Sequence, residues 1–285
     1  MKISVGTILF NAESCLPKNM LNAWLAQAYD IADQILITEG ATRAKNHYFD
    51  GDASSMTEDG KSTDETIEII RSFPDPERKI LLFQSNDFWD GKTTMCNAWN
   101  DHVTGDYLWF ISSDEFYLEE DIGKILKLLE DEEPDQVDFF ADHFWGDFNH
   151  CVDERMDGSW GNDIPWERIF KHIPGSKWER HEPPRYLHPD GALTIDKKLM
   201  DKYKTLAMGI KLKHYAYVCE QQVDFKTKFY KDQSCRRLWD EWQKDHEVRI
   251  VQGSKTFKYS SAHPESIRNY VIPLIHDEKK SNSSG

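Results

Sequence analysis

Long apolar runs are missing from this 285-residue sequence: none approaches the roughly 20 residues that a membrane span requires, so no transmembrane segment is expected. Paired cysteines are missing too. Cys15, Cys96, Cys151, Cys219 and Cys235 are odd in number and show no CxxC spacing, which argues against a full disulfide framework. Basic charge is in deficit, with 35 Lys and Arg against 50 Asp and Glu and a formal charge of −15. The positive runs are short and mixed with acids, as where Lys197 and Lys198 precede Asp201. Such a field repels phosphate backbones and anionic bilayers, so neither nucleic acid nor lipid is an expected partner. The opening MKISVGTILFNAES is interrupted too soon for a secretory signal, and with the scattered cysteines it predicts a cytoplasmic protein.

What is present suits a folded chain: 39% hydrophobic and 13% aromatic residues, enough to fill one large core or two small ones. In the first half, short apolar runs alternate with helical patterns, the signature of a parallel sheet with crossover helices. Strands are predicted over residues 3–10, 34–38, 79–84, 107–111 and 136–141. Helices are predicted over 16–32, 63–73 (capped by Ser62 or Thr63 and stopped by Pro74 and Pro76), 93–102 and 121–129. The polar stretch from Gly40 to Gly60 is long for a strand-to-helix connection and reads as a flap or a weakly ordered loop. Beyond residue 141 the pattern breaks down into a region rich in Trp, His, Gly and Pro. A strand-like segment through Lys211–Tyr217 and a charged helix with Phe225, Phe229 and Tyr230 follow it. The polar tail 278–285 is expected to be disordered.

Four groups of residues could carry chemistry. Ser112, Ser113, Asp114 and Glu115 follow the buried run 107–111, where open α/β sheets place ligands; Asp114 suits a hard divalent ion, and an acidic turn before a helix is the alternative. His214, between lysine and tyrosine, either completes an oxygen and nitrogen shell favouring Mn²⁺ or Mg²⁺ or is a packed side chain. His181 and Glu182 precede a prolyl turn. There Glu182 could take a proton from a hydroxyl nucleophile, or could simply pair with Arg180 or Arg185; Asp142, Asp147 and Glu167 are rival bases. Trp145, Trp160, Trp166 and Trp178 could stack on sugar rings or fill a core. A zinc site from His143, His150, Cys151 and Asp153 has little in its favour without a CxxC or HxxxH partner.

The order of these features resembles an inverting family 2 glycosyltransferase of the GT-A fold. The resemblance runs through Asn11 and Glu13 after the first strand, Glu39 after the second, and Asp59 to Thr66 (DGKSTDET). It continues through Asn86, Gly91, Asn97 and Gly105 to Tyr107, then Asp114 to Phe116, the His181–Glu182 turn and His214–Tyr215. It implies an α/β fold, with a Rossmann-like mostly parallel sheet flanked by helices and a smaller acceptor-side region. It further implies that Asn11, Glu13 and Glu39 line a nucleoside pocket, that Asp64 and Lys92 lie near the donor, and that Asp114 with His214 holds Mn²⁺ or Mg²⁺. Asn97, Ser112, Ser113, Trp178 and His181 complete the expected substrate-binding set, and Glu182 is the expected base.

Two departures stand out. Ser112 replaces the first acid of the family's DxD, a loss for which Glu115 could compensate as a metal ligand, and the insertion after Glu39 separates it from Asp64. The implied reaction moves a sugar, with inversion, from a nucleotide-sugar donor, UDP-linked, to a glycan or other hydroxyl-bearing acceptor. One domain over 1–277 is expected, its donor half 1–118 and its acceptor half 119–277. Two rivals remain: a carbohydrate-binding protein that kept the fold but lost turnover, and a nucleotidyltransferase. The second should carry a glycine-rich phosphate loop after the first strand, and residues 11–18 contain no glycine.

Overall fold

The computed structural model describes residues 1–43, 51–152, 165–246 and 255–273. Trp160, Asp153 and the tail 278–285 lie outside them. The chain opens with β1 (Ile3–Leu9) and a single turn, α1 (Ala12–Cys15), and the helix expected over 16–32 begins only at Met20, as α2 (Met20–Ile31). Pro17 is the cause: the residue before a proline is driven out of the helical region, and Leu16 is extended at φ −100°, ψ 163°. After β2 (Gln34–Glu39), α3 (Thr66–Ser72) starts later than expected. Neither Ser62 nor Thr63 caps it, because both are drawn to Asn11: the Asn11 N–H donates to Ser62 Oγ (2.8 Å) and the Thr63 N–H to Asn11 Oδ1 (2.7 Å).

Then come β3 (Ile80–Gln84), α4 (Lys92–Ala98), β4 (Tyr107–Phe110), β5 (Glu115–Phe116) and α5 (Glu119–Glu132). The region without legible pattern is mostly strand: β6 (Gln136–Phe139), β7 (Ala141–Trp145), β8 (His150–Val152), β9 (Trp166–Lys171), β10 (Lys177–Arg180), β11 (Arg185–Leu187) and β12 (Leu199–Met200). The chain continues through α6 (Lys202–Ala207), β13 (Leu212–Tyr217), α7 (Glu220–Tyr230), α8 (Ser234–Lys244), β14 (Thr256–Lys258) and α9 (Glu265–Tyr270).

The main sheet has the order β12-β6-β9-β4-β1-β2-β3, parallel except where β9 runs against β6 and β4. The expected α/β architecture, a mostly parallel sheet flanked by helices as in a GT-A fold, is present. From β1 the chain builds outward to β2 and β3, and then returns to place β4 on the other side of β1. That reversal is a topological switch point, where a crevice opens beyond the strands' carboxyl ends. A second sheet, β14-β8-β7-β13-β5, stands against this crevice. The described part of the long connection is pinned: Ala53 N–H donates to Thr42 O, Ala41 N–H to Gly60 O, and Asp52 N–H to Phe229 O of α7. Gly51 lies at φ +66°, and a Cβ there would sit 2.0 Å from the Phe229 ring, so only glycine lets the loop meet α7. Among the described residues no helix is long and apolar enough to cross a membrane, and no disulfide joins the five cysteines.

Candidate active site

The crevice holds a cavity of about 370 Å³, bounded by the ends of β1 and β4, by α4, by the turn after β10, and by β13 and α7. Asp114 reaches it because β4 ends at Phe110 and the next residues turn directly into β5. His214 reaches it because β5 pairs antiparallel with β13, with His214 opposite Glu115 in register. The ladder thus joins residues a hundred positions apart, and the Tyr215 N–H donates to Asp114 O (2.8 Å). His214 Nε2 lies 3.6 Å from Asp114 Oδ2, and one ligand atom each from Asp114, Glu115 and His214 lies within 4.8 Å of the others. Behind His214, its Nδ1 is 2.8 Å from Nδ1 of His143.

Cations of the chain stand on this cluster. Lys226 Nζ from α7 donates to Asp114 Oδ2 (3.2 Å) and to Ala216 O (3.0 Å), with the Tyr217 ring 4.6 Å away. Arg168 from β9 takes both oxygens of Glu115, Nε to Oε2 at 2.8 Å and Nη2 to Oε1 at 2.6 Å. Burial alone would raise Asp114, but Lys226 and His214 beside it more than offset this and hold it well below the ordinary carboxylate range. Burial holds His214 below its ordinary value, against the pull of Asp114, so it is neutral near pH 7. Two carboxylates therefore face two fixed cations. The donor types suit Mn²⁺ or Mg²⁺, but the balance of charge does not: as placed, Lys226 occupies the Asp114 oxygen nearest His214 and both Glu115 oxygens already accept from Arg168, so the cluster is a poor fit for a divalent ion.

The other expected residues divide. Lys92, Ser112, Ser113, His181 and Glu182 line the cavity with Asp114. Lys92 Nζ bonds the Tyr230 hydroxyl at 2.9 Å. His181 is buried, its Nδ1 3.8 Å from Glu182 Oε2; burial first, then Lys92 and Arg168, hold it well below the usual histidine value. Asn11, Glu13, Glu39 and Asp64 come together at the ends of β1 and β2 but do not line the cavity. The segment 62–66 uses them instead: Glu39 accepts from Ser62 N–H and from Gln84 Nε2, and Asp64 accepts from the Ser14 and Thr66 N–H groups.

Two expected substrate contacts belong to the core. Trp178 is buried among Trp99, Phe110, Phe170 and Tyr186, and Asn97 bonds both the N–H and the C=O of Trp178, tying α4 to β10. Trp145 packs on Trp239 and Trp242; of the described tryptophans in that group only Trp166 faces the cavity, 4.7 Å from the His214 ring. The zinc grouping does not assemble among the described residues: His150 bonds Asp147 Oδ1 (2.8 Å), while His143 turns to His214.

Alternation along β9 turns one rival base away from the cavity. Trp166 and Arg168 face the cavity, so Glu167 faces away, directly opposite Asp138 of β6. Burial raises Glu167 to about 7, with Asp138 adding to the effect, and raises Asp138 to about 6. Acids whose folded values exceed their unfolded ones hold protons more tightly when folded. Their contribution is complete below about pH 4 and is lost as pH rises through the folded values. We expect the Glu167 contribution to chain stability to fall by on the order of 3 kcal/mol between about pH 4.5 and pH 7, while the buried His181 and His214 act with the opposite sign. In Glu167→Gln that dependence should flatten; urea midpoints at pH 5 and 7.5 measure it, and identical profiles in the two proteins would refute the assignment. Asp142 is also engaged, by Lys211 and Lys213.

Sequence reasoning missed Lys226 and Arg168. The signal was there for the first: Gln222, Phe225, Lys226, Phe229 and Tyr230 share one helical face, all lining the cavity, so a charge sits inside an apolar stripe. Arg168 stands at a cavity-facing position of β9, in the stretch where the sequence shows no legible pattern.

Known proteins can now be set beside this geometry. No curated protein matches the chain. Among solved structures, residues 1–349 of S. aureus TarS in complex with UDP-GlcNAc are similar at 14% identity and a TM-score of 0.39, over 60% of this chain and 45% of that one. The mannosyltransferase PcManGT from Pyrobaculum calidifontis, in complex with GDP-Man and Mn²⁺, is similar at 16% identity and a TM-score of 0.36, over 49% of this chain and 35% of that one. The chain thus covers less than half the length of either. The family model described as glycosyl transferase family 2 matches residues 57–211, which carry β4, the Ser112–Glu115 turn and the His181–Glu182 turn. That match spans more than half of the sequence, and the chain belongs to glycosyl transferase family 2.

Proposed function

We propose that the chain transfers a sugar from a nucleotide-sugar donor, UDP-linked, to the hydroxyl of a glycan or another hydroxyl-bearing acceptor, with inversion at the anomeric carbon. One observation carries the reading: Asp114 and, from a distant stretch of sequence, His214 and Lys226 converge on a cavity at the switch point of the sheet. Phe10, Phe225 and Tyr230 give that cavity apolar walls for a nucleoside, and Lys92 and Lys226 place two ammonium groups on its wall that can donate to a diphosphate. Glu182, whose side chain is 48% exposed, is the carboxylate positioned to take a proton from an entering acceptor. Asp114 and Glu115 are bound to cations and so are poor nucleophiles, which favours a single displacement over a covalent intermediate. In this reading residues 1–118 supply the donor half and 119–277 the acceptor half of one domain, with α7 folded back over the donor side.

The mutual closeness of Asp114 and His214 favours a second reading of the cluster, in which these two side chains would hold Mn²⁺ or Mg²⁺ once Lys226 withdraws. Release of nucleoside diphosphate from a panel of sugar nucleotides tests the activity itself. We expect turnover of one donor, and at least about a tenfold loss in Asp114→Asn if the melting temperature is kept. No release from any donor, or equal release by the variant, would count against it. Glycan binding without release would point to the carbohydrate-binding rival.

A further inference from the structure

The charge on Asp114 is already answered from within the chain. Lys226 Nζ sits 3.2 Å from its Oδ2, on the cavity wall, with a side chain only 19% exposed. Its position is fixed on every side: Ala216 O accepts one donor, the Tyr217 ring lies 4.6 Å away, and the apolar face of α7 carries the stem. An ammonium has three donors, and Asp114 and Ala216 account for two, so one N–H has no partner among the described residues. Glu115, the acid next to Asp114, is taken at both oxygens by Arg168. Ser112 has no charge to add. A dication entering here would meet a balanced pair of ion pairs instead of an uncompensated acidic site, with Lys226 already on the Asp114 oxygen nearest His214.

We propose that Lys226 takes the place of the divalent ion: its ammonium, oriented by Asp114, binds the donor's diphosphate and steadies it as it departs, so that donor binding and transfer need no metal. This rests on the reading of the chain as a nucleotide-sugar transferase. The bond between the anomeric carbon and the diphosphate oxygen breaks, and the diphosphate keeps the electron pair. The acceptor oxygen forms the new bond to that carbon, and its proton passes to Glu182. Lys226 donates a hydrogen bond throughout and transfers no proton. A charge-assisted bond held ready in a half-enclosed site is the device a departing anion needs, and a lysine can supply it where a metal otherwise would.

Isothermal titration of UDP and GDP into the full chain, with EDTA or with 1 mM Mn²⁺ (about the concentration that saturates a typical weak site), tests it. The wild type should bind one of the two equally, within about twofold, in both conditions. Lys226→Met should lose about tenfold or more in EDTA, and Lys226→Arg should keep most of the affinity. A wild type that gains tenfold or more with Mn²⁺ overturns the proposal while leaving the transferase reading intact. Binding of neither nucleotide in either condition sinks that reading and the proposal with it. The wild-type comparison decides the point even where Lys226→Met fails to fold.

Discussion

Replacing Glu115 with alanine should cost the protein about 3–5 kcal/mol, among the larger losses a single substitution can bring to a domain of this kind. Glu115 is 1% exposed, and its carboxylate is matched oxygen for nitrogen to the Arg168 guanidinium, itself 7% exposed. The gain in attraction between the two is largely spent on removing both from water, so the pair as a whole adds little. Removing one partner is another matter, since it leaves a guanidinium buried with nothing to neutralise it. The double variant Glu115→Leu with Arg168→Met should therefore recover most of the stability that Glu115→Ala loses. Urea unfolding of the three proteins gives the comparison. A Glu115→Ala protein as stable as the wild type would mean that Arg168 does not depend on this carboxylate, and would return Glu115 to the pool of possible metal ligands. The expected loss has a functional edge as well: Arg168 packs 4.6 Å from the Trp166 ring on the cavity wall, and Glu115 holds it there.

The same pair explains what the sequence could and could not reveal. The turn after β4 was legible because an unbroken apolar run ending in Ser112 to Glu115 has few structural meanings, and the strand that presents it needs no distant contact to be recognised. The parallel strands β1 to β4 were legible for the same reason. Partners were not. Whether Glu115 meets a metal or an arginine depends on β9, and the packing of the two sheets that brings Arg168 to it is tertiary structure that periodicity does not encode. Asn11, Glu39 and Asp64 teach the reverse lesson. The resemblance implied that Asn11, with Glu13 and Glu39, lines a nucleoside pocket and that Asp64 lies near the donor; in the structure the inserted connection after β2 returns as the segment 62–66 and bonds to Asn11, Glu39 and Asp64. Trp178 was a stacking candidate by composition alone, and its position on β10, against α4 and β4, buries it. The strands between residues 141 and 200 went unread because they are short and interrupted, and their alternation never lasts long enough to stand out.

Glu182→Gln should lower the turnover number by about 10²–10⁴-fold, the range that a positioned general base contributes. Glutamine keeps the shape of the side chain and can still accept a hydrogen bond from a hydroxyl, but it cannot receive the proton, so the loss should fall on kcat. The neighbours leave little else to do the work. His181 is the nearest other titratable group, and burial with Lys92 and Arg168 holds it so far below its ordinary value that near pH 7 it has almost no tendency to take a proton. Glu167 faces the opposite side of β9, Asp142 is engaged by two lysines, and Asp114 is engaged by Lys226. Hydrolysis of the donor by water provides a readout before the acceptor is identified, because water must lose a proton to the same base. Nucleoside diphosphate affinity in the variant should stay within about twofold of wild type, which separates a missing base from a damaged donor pocket. Should Glu182→Gln retain more than about a tenth of wild-type turnover, the proton leaves by another route, and a base brought by the acceptor becomes the next group to examine.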